Sequence, residues 1–445
     1  MKNFRVRSQM NFLSLIESKR EGAVLAPREI HGFIREFTSG KIPDYQMAAM
    51  LMAIYFRGLD AGETRALMLA MRDSGDVLKF PKDSRPLVDK HSTGGIGDAV
   101  SLPLAPLLAC LGFRVPMISG RSLGITGGTL DKLDSIPGFK TSLRAKQIVE
   151  ITQKIGCVIC GQTERMIPAD KKLYALRDST GTVPSIPLIA SSVLSKKLSE
   201  NLDALVLDVK FGRAAFMQTK TQARELARVM VSLGNECGVR ARAILTNMDS
   251  PLARAAGNWL EIKEAVSCLE AKNPSDLQEL VLTFAAHLLV QTKKSKSLEA
   301  ARKLAENCLA SGAPRRKWDE MLAAQGADLR AFRRKLARDH MAPAVLELKA
   351  ASDGIVSRCD ARIIGEIVRD LGGGRLTKES KINHDVGVDR LAKPGDEIRR
   401  GAILARIHAR DHSLAESARK RLKNAIEISR KKPAARSLVA EVIER

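Results

Sequence analysis

The sequence predicts an α/β protein with a separate helical lobe before the sheet and an α+β domain after it. Three observations carry this expectation. Residues 11–72 repeat apolar side chains at helical spacing. From Leu87 to Met248 short apolar runs alternate with amphipathic segments, and from about 345 β-like runs alternate with glycine and Pro-Gly turns.

In the first stretch, FLSLIESKREG reads as a short helix, and APREIHGFIREFTSG starts at Pro27 and stops at Gly40. PDYQMAAMLMAIYFRG has an apolar face, and Asp60 precedes Glu63 by the spacing of a capping box. The prolines of PKDSRPLVDK then break the helical pattern and put a boundary near 76–86. Beyond it the order is strand, glycine turn, helix (98–111), strand (114–118), glycine turn, helix (127–135). Helices over 143–156, 169–180 and up to Glu200 and strands over 157–161 and 203–212 follow. An amphipathic helix and the strand VRARAILTNM continue the alternation, which indicates a largely parallel sheet with loops at the carboxyl ends of its strands. Residues 251–340 read as basic helices, 412–430 as a basic helix and the tail LVAEVIE as extended chain.

Composition bounds the partners. With 73 basic and 50 acidic residues the net charge is +23, which suits nucleic acid, an anionic surface or small anionic substrates. Aromatic residues are only 4% and are not interleaved with basic ones, so no base-stacking platform is apparent and a nucleic-acid partner is not expected. No run approaches the roughly 20 apolar residues of a membrane span. The basic opening lacks a continuous apolar segment and a small-residue cleavage site, so a cytoplasmic protein with no membrane partner, folded from about Met10, is the expectation. Seven scattered cysteines are odd in number and do not make a disulfide framework. Cys157 and Cys160 lie in an apolar run with no second pair for zinc, and are read as buried thiols.

The chemistry concentrates in Val88–Ser135. Lys90, His91, Ser92 and Thr93 lead into Gly94-Gly95-Ile96-Gly97-Asp98 and then a helix, so backbone N–H groups and the helix dipole could hold a phosphate. No Gly-Lys-Ser/Thr follows the glycines, and the dinucleotide spacing fails. Alone, this turn reads equally well as an anion cradle or a structural tight turn. A second turn raises the odds of the cradle: Ser119-Gly120-Arg121 ends one strand, and Thr126-Gly127-Gly128-Thr129 opens a helix. Ser101 adds a further hydroxyl near a helix start. Ser192 and Lys196 share a helix face, and with Arg177 they make a cationic and hydroxyl set suited to a ring that leaves with negative charge. Separately, such residues read as surface salt bridges. His91 is the nearby group that can serve as a general acid at neutral pH.

KHSTGGIGD (90–98) and SGRSLGITGGTLDKLDS (119–135) are followed by ADKKLYALRD (169–178), SIPLIASSVLSKK (185–197) and LDVKFGRAAFM (207–217). In these segments, and from about Asn11 to its C-terminus, the chain resembles the thymidine and pyrimidine-nucleoside phosphorylase family. The resemblance implies a nucleoside phosphorylase fold with a cleft between lobes. The helical lobe would comprise residues 1–75 and a return segment at 169–200, the α/β lobe 76–168 and 201–340, and the C-terminal glycine-rich α+β domain 345–445. It also implies lobe closure, a homodimer through the helical lobe, and no organic cofactor.

The implied activity is reversible phosphorolysis of thymidine, deoxyuridine and uridine to free base and α-D-(deoxy)ribose 1-phosphate, with a strict thymidine phosphorylase as the alternative. Lys90, Ser92, Ser101, Ser119 and Thr129 would hold phosphate, the inorganic co-substrate. Arg177, Ser192 and Lys196 would hold the base, His91 would sit near its O2, and Leu123, Ile189, Val193 and Phe216 would wall it. His91, Arg177 and Lys196 would be catalytic. Potassium would be held by Gly97, Ala99, Leu252, Ala255 and Glu264, although Glu264 also reads as a helix salt-bridge residue. The C-terminal domain resembles a lipoyl-type barrel sandwich without a lysine at the hairpin tip. Ser122, Ile125, Asp134, Arg213 and Ala214 depart from the family's usual residues. More distant readings are a phosphoribosyltransferase of related fold, which would need magnesium-binding acidic residues, and a nucleic-acid binder.

Overall fold

The computed structural model describes residues 11–121, 125, 127–163, 165–272, 274–375, 380–434 and 437–444. Ser122, Leu123 and Thr126, singled out above, lie outside them, as does Met10. The chain forms two compact units: one takes the residues up to Leu78 and Thr163–Asn201, the other Lys79–Gln162 and the residues from Leu202 onward. No described helix is long and apolar enough to cross a membrane.

The chain opens with helices α1 (Phe12–Arg20), α2 (Pro27–Thr38), α3 (Asp44–Arg57) and α4 (Ala61–Arg72). Pro27 starts α2, where its missing N–H costs nothing. The capping box at α4 forms: Glu63 N donates to Asp60 Oδ1 at 2.7 Å and Asp60 N to Glu63 Oε2 at 2.9 Å. The Glu63 carboxylate also accepts Leu25 N at 2.8 Å and pairs with buried Lys19 at 2.8 Å, so one side chain caps a helix and ties three segments together. Phe33, Ile34 and Phe37 of α2 join Met47, Leu51 and Ile54 of α3 and Leu67 and Met71 of α4 in this unit's core.

The second unit begins with β1 (Val88–Ser92), α5 (Ser101–Cys110), β2 (Val115–Ile118), α6 (Thr129–Leu133), α7 (Ala145–Ile155) and β3 (Cys157–Cys160). The chain then adds α8 (Pro168–Thr180) and α9 (Ile186–Ser199) to the first unit, α9 lying along α4. It resumes the second with β4 (Ala204–Phe211), α10 (Lys220–Glu236) and β5 (Arg240–Asn247). β1, β4 and β5 pair in parallel, and β2 pairs in parallel with β3. A parallel bridge between Leu87 and Arg114 connects the two ladders. β2, β3 and most of β4 are buried and apolar, as sheets covered on both faces require, while β1 and β4 also bury Asp89, Lys90, Asp208 and Lys210. Cys157 and Cys160 are buried in β3, as expected.

Helices α11 (Asn258–Leu269), α12 (Asp276–Gln291), α13 (Leu298–Ala310), α14 (Ala313–Ala324) and α15 (Leu329–Leu336) follow. The C-terminal domain comprises β6 (Ala344–Lys349), β7 (Gly354–Cys359), α16 (Ala361–Val368), β8 (Gly387–Asp389), β9 (Glu397–Ile398), β10 (Ile403–Ala409), α17 (His412–Leu422) and β11 (Ile426–Ser429). Its strands form two antiparallel sheets, β6-β10-β8 and β11-β7-β9. The helix expected over 412–430 is thereby corrected. It ends at Leu422, and the alternating Ile426–Ser429 pairs with β7 instead. The expected extended tail is β12 (Val439–Ile443), which pairs antiparallel with β5 and completes the central sheet.

The C-terminal domain packs onto the glycine loops. A Cβ at Gly365 of α16 would stand 2.6 Å from Ile96 and 2.7 Å from Ile125, so the absent side chain is what lets α16 approach. Asn258 Nδ2 donates to Gly373 O at 2.9 Å, and Ala256 and Val388 exchange backbone hydrogen bonds.

Candidate active site

Strand register sets the surroundings of the first glycine turn. Ser92 of β1 lies opposite Asp208 of β4, so the end of β1 runs beside LDVK. Lys90 Nζ is 3.0 Å from the Asp208 carboxylate and 3.9 Å from Asp98, and Lys210 Nζ is 2.8 Å and 3.7 Å from the same two groups. Burial of four charges is tolerable here because each lysine has two counterions. Burial would raise the Asp98 carboxyl, but Lys210, Lys90 and Lys132, with the Ser92 hydroxyl, hold it far below the usual carboxylate range. Burial likewise works against the Lys210 ammonium and is outweighed by Asp208 and Asp98, so its affinity for the proton rises.

The hydroxyls sit around this cluster. Ser92 Oγ donates to Asp98 at 2.7 Å and accepts Gly94 N at 3.1 Å, which fixes the first glycine turn. Thr93 Oγ1 accepts Lys210 N at 2.9 Å, and Thr93 N donates to Asp208 O at 3.0 Å. Ser101 is the first residue of α5 and Thr129 the first of α6. Ser119 follows β2, anchored by its N–H to Cys160 O at 2.8 Å, and all three are partly exposed. The two glycine loops meet through Lys132, which donates to Asp98 O at 2.7 Å and pairs with Glu261 at 2.7 Å. Asp131 closes the second loop: it accepts Gly128 N at 2.8 Å and pairs with Arg121 at 3.2 Å and Arg375 at 2.7 Å. Asp134 pairs with the same Arg121. His91 is partly exposed at the end of β1. Hydroxyls and helix starts thus surround a buried, charge-balanced set of two lysines and two aspartates.

The departures after β4 have a visible consequence. Arg213 N donates to Asp249 at 3.1 Å and its guanidinium pairs with Asp360, the N-cap of α16, at 3.0 Å. Phe216 is 48% exposed.

The remaining predicted groups lie in the first unit, on α8 and α9. Ser192 Oγ donates to Asp170 at 2.5 Å, and Lys196 pairs with the other oxygen of Asp170 while donating to Ser192 Oγ at 2.9 Å. Burial pulls the Lys196 ammonium below its ordinary range, with Asp170 opposing. Arg177 is buried, which lowers it to about 10, and it donates to Leu188 O at 3.0 Å and Val183 O at 2.7 Å. Its Nε has no hydrogen-bond partner. Ile189 and Val193 are on α9 beside Ser192. Sequence reasoning missed Asp170, Asp208, Lys210 and Arg375; the only signal was a charge inside an otherwise buried pattern.

Four of the five implied potassium ligands, Gly97, Ala99, Leu252 and Ala255, lie around one turn. Gly97 O accepts Ala99 N at 3.1 Å and Ala253 N at 3.2 Å, and a Cβ at Gly97 (φ +66°) would stand 2.8 Å from Ala255 O. Leu252 O accepts Lys393 Nζ at 3.1 Å. Burial raises the Glu264 carboxyl, opposed by the Arg254 backbone N–H and guanidinium. Glu264 is partly exposed, and Gly97 O is the most committed of the five groups.

Comparison with known proteins agrees with this architecture. The "Glycosyl transferase family, helical bundle domain" matches residues 13–75, the "Glycosyl transferase family, a/b domain" matches 84–315, and the "Pyrimidine nucleoside phosphorylase C-terminal domain" matches 355–429. Fold and site thus define a pentosyltransferase built from a helical bundle and an α/β domain. The chain is 44% identical over 422 residues to the pyrimidine-nucleoside phosphorylase of Staphylococcus haemolyticus, covering 94% of this chain and 96% of that one. It is 44% identical over 435 residues to the thymidine phosphorylase of Agrobacterium fabrum, with 97% and 98% covered. The chain belongs to the thymidine and pyrimidine-nucleoside phosphorylase family. Anthranilate phosphoribosyltransferase of Thermus thermophilus shares the fold, with TM-score 0.58 at 19% identity over 70% of this chain and 98% of that one.

Proposed function

We propose that this chain catalyses the reversible phosphorolysis of pyrimidine nucleosides, thymidine, deoxyuridine and uridine among them, to free base and α-D-(deoxy)ribose 1-phosphate. The observation that carries the reading is the buried, charge-balanced Lys90–Asp208–Lys210–Asp98 cluster beneath the first glycine turn, which fixes that turn and its Ser92 and Thr93 hydroxyls for a phosphate. Lys90, Ser92, Ser101, Ser119 and Thr129 hold the phosphate. Arg177, Ser192 and Lys196 hold the ring, with Ile189, Val193 and Phe216 against it.

A phosphate oxygen attacks C1′ as the C1′–N1 bond breaks and its electron pair moves into the ring. Arg177 and Lys196 stabilise that negative charge, and His91 donates a proton or hydrogen bond near O2. Asp170 keeps Ser192 and Lys196 aimed together. Gly97, Ala99, Leu252, Ala255 and Glu264 would hold potassium, which would supply a fixed charge beside the first glycine loop. Unchanged rate and thermal midpoint after exchange of potassium for sodium would rule that out. Tyr45 and Phe56, 75% and 76% exposed on α3, support a homodimer through the helical lobe.

The deciding experiment compares base release from thymidine, uridine and cytidine with and without phosphate, followed by absorbance. Phosphate-dependent release is expected. Release from thymidine but not uridine would select the strict thymidine phosphorylase, and release from none would overturn the proposal.

A further inference from the structure

The first glycine turn has little stiffness of its own, because Gly94 and Gly95 leave its backbone free and glycine loses more conformational freedom on ordering than any other residue. Its shape is imposed from outside, by the segment that follows β5. Met248 is fully buried there, and its N–H donates to Phe211 O at the end of β4 at 2.8 Å. Its thioether Sδ accepts the Ile96 N–H at 3.4 Å. Further along the same segment Leu252 N donates to Ile96 O at 3.0 Å, so both backbone groups of Ile96 are taken by one stretch of chain. Ile96 is buried, which shields its N–H from water and makes the sulfur its partner. The contact is also steric: a Cβ at Gly95 would stand 2.6 Å from Met248 Cε and 3.0 Å from Sδ, so glycine at 95 is what lets the thioether lie against the turn.

We propose that Met248 is a positioning residue for inorganic phosphate: its sulfur fixes the Ile96 peptide, and with it the first glycine turn, in the shape that receives the anion. The proposal rests on the phosphate site put forward above. Methionine has the properties this place requires. Its unbranched chain and soft sulfur adapt to a backbone passing at close range, whereas leucine fills a similar volume and offers no acceptor. A turn already held in its bound shape loses less entropy when the anion arrives, and the difference appears as affinity. The sulfur takes no part in bond breaking, so its loss weakens phosphate binding and leaves the chemical step alone.

The test compares the full-length wild type with Met248→Leu and Met248→Gln by phosphate-dependent base release, calorimetric binding of inorganic phosphate, and hydrogen exchange followed by NMR. In Met248→Leu the phosphate KM and Kd are expected to rise about 10-fold, with kcat and the nucleoside KM held within about twofold. Its Ile96 amide is expected to lose protection while that of Ile244, inside β5, keeps it. Met248→Gln carries an amide oxygen on an unbranched chain and is expected to recover most of the phosphate affinity. Unchanged phosphate binding in Met248→Leu, equal losses in the two variants, or Ile96 and Ile244 losing protection together would each overturn the proposal, since packing alone would then account for the residue. The wild type decides even where a variant folds poorly: a protected Ile96 amide supports the sulfur seat and an unprotected one overturns it. Phosphate binding without base release in the wild type would overturn the phosphorolysis reading and leave the seat standing.

Discussion

Lys90 and Asp208 meet across adjacent parallel strands, with Nζ 3.0 Å from the carboxylate and neither side chain open to solvent. Lys210 shares that carboxylate at 2.8 Å, so removing its charge exposes two ammoniums to burial with Asp98 as their remaining counterion. Asp208→Asn is therefore expected to cost about 3–5 kcal/mol in urea unfolding. A loss under about 1 kcal/mol would show that the cluster does not depend on this pair.

Asp170→Asn tests the base-binding set proposed on α8 and α9. The variant keeps a hydrogen-bond acceptor for Ser192 and removes the counterion of Lys196. Turnover is expected to fall about 10- to 100-fold with the phosphate KM unchanged. Because the carboxylate is what opposes the downward pull of burial on Lys196, its loss lowers that ammonium further. The alkaline limb of the rate profile should accordingly move to lower pH, and an unmoved limb with reduced rate would reduce Asp170 to a structural role.

His91→Ala is expected to lower turnover about 100-fold and to change the phosphate KM far less, since the role proposed for the imidazole is on the leaving ring. Unaltered turnover would remove it as the acid.

Glu441 predicts how acid opens the sheet. The Arg224 hydrogen bond, followed by Lys220, holds its carboxyl down to about 2 from an ordinary 4.5. A depressed carboxyl stabilises the fold above its ordinary value, and that contribution is lost as pH falls through the native one. Amides of β12 should lose protection before those of β4 between about pH 4.5 and about pH 2 in hydrogen exchange, and Glu441→Gln should flatten the difference. Equal protection of β12 and β4 at the acid end would contradict this.

Local chemistry made much of the fold legible. Pro27, the Asp60–Glu63 box and the apolar strand runs each announce their element within a few residues. The hydroxyls of the glycine turns were legible for the same reason. Asp170, Asp208 and Lys210 were not, because the partner that makes a buried charge tolerable lies at a distance no periodicity encodes. Leu422 shows the same limit in reverse: the basic pattern continues past it, but pairing of Ile426–Ser429 with β7 decides where the helix stops.

The contact of Gly365 with Ile96 and Ile125 makes the C-terminal domain a poor candidate for modular exchange. A chimera that imports this domain with a larger residue at 365 would push on the first and second glycine loops at once. The donor and recipient must match at three positions far apart in the chain, so recombination within the family is constrained by a seam rather than by either domain alone.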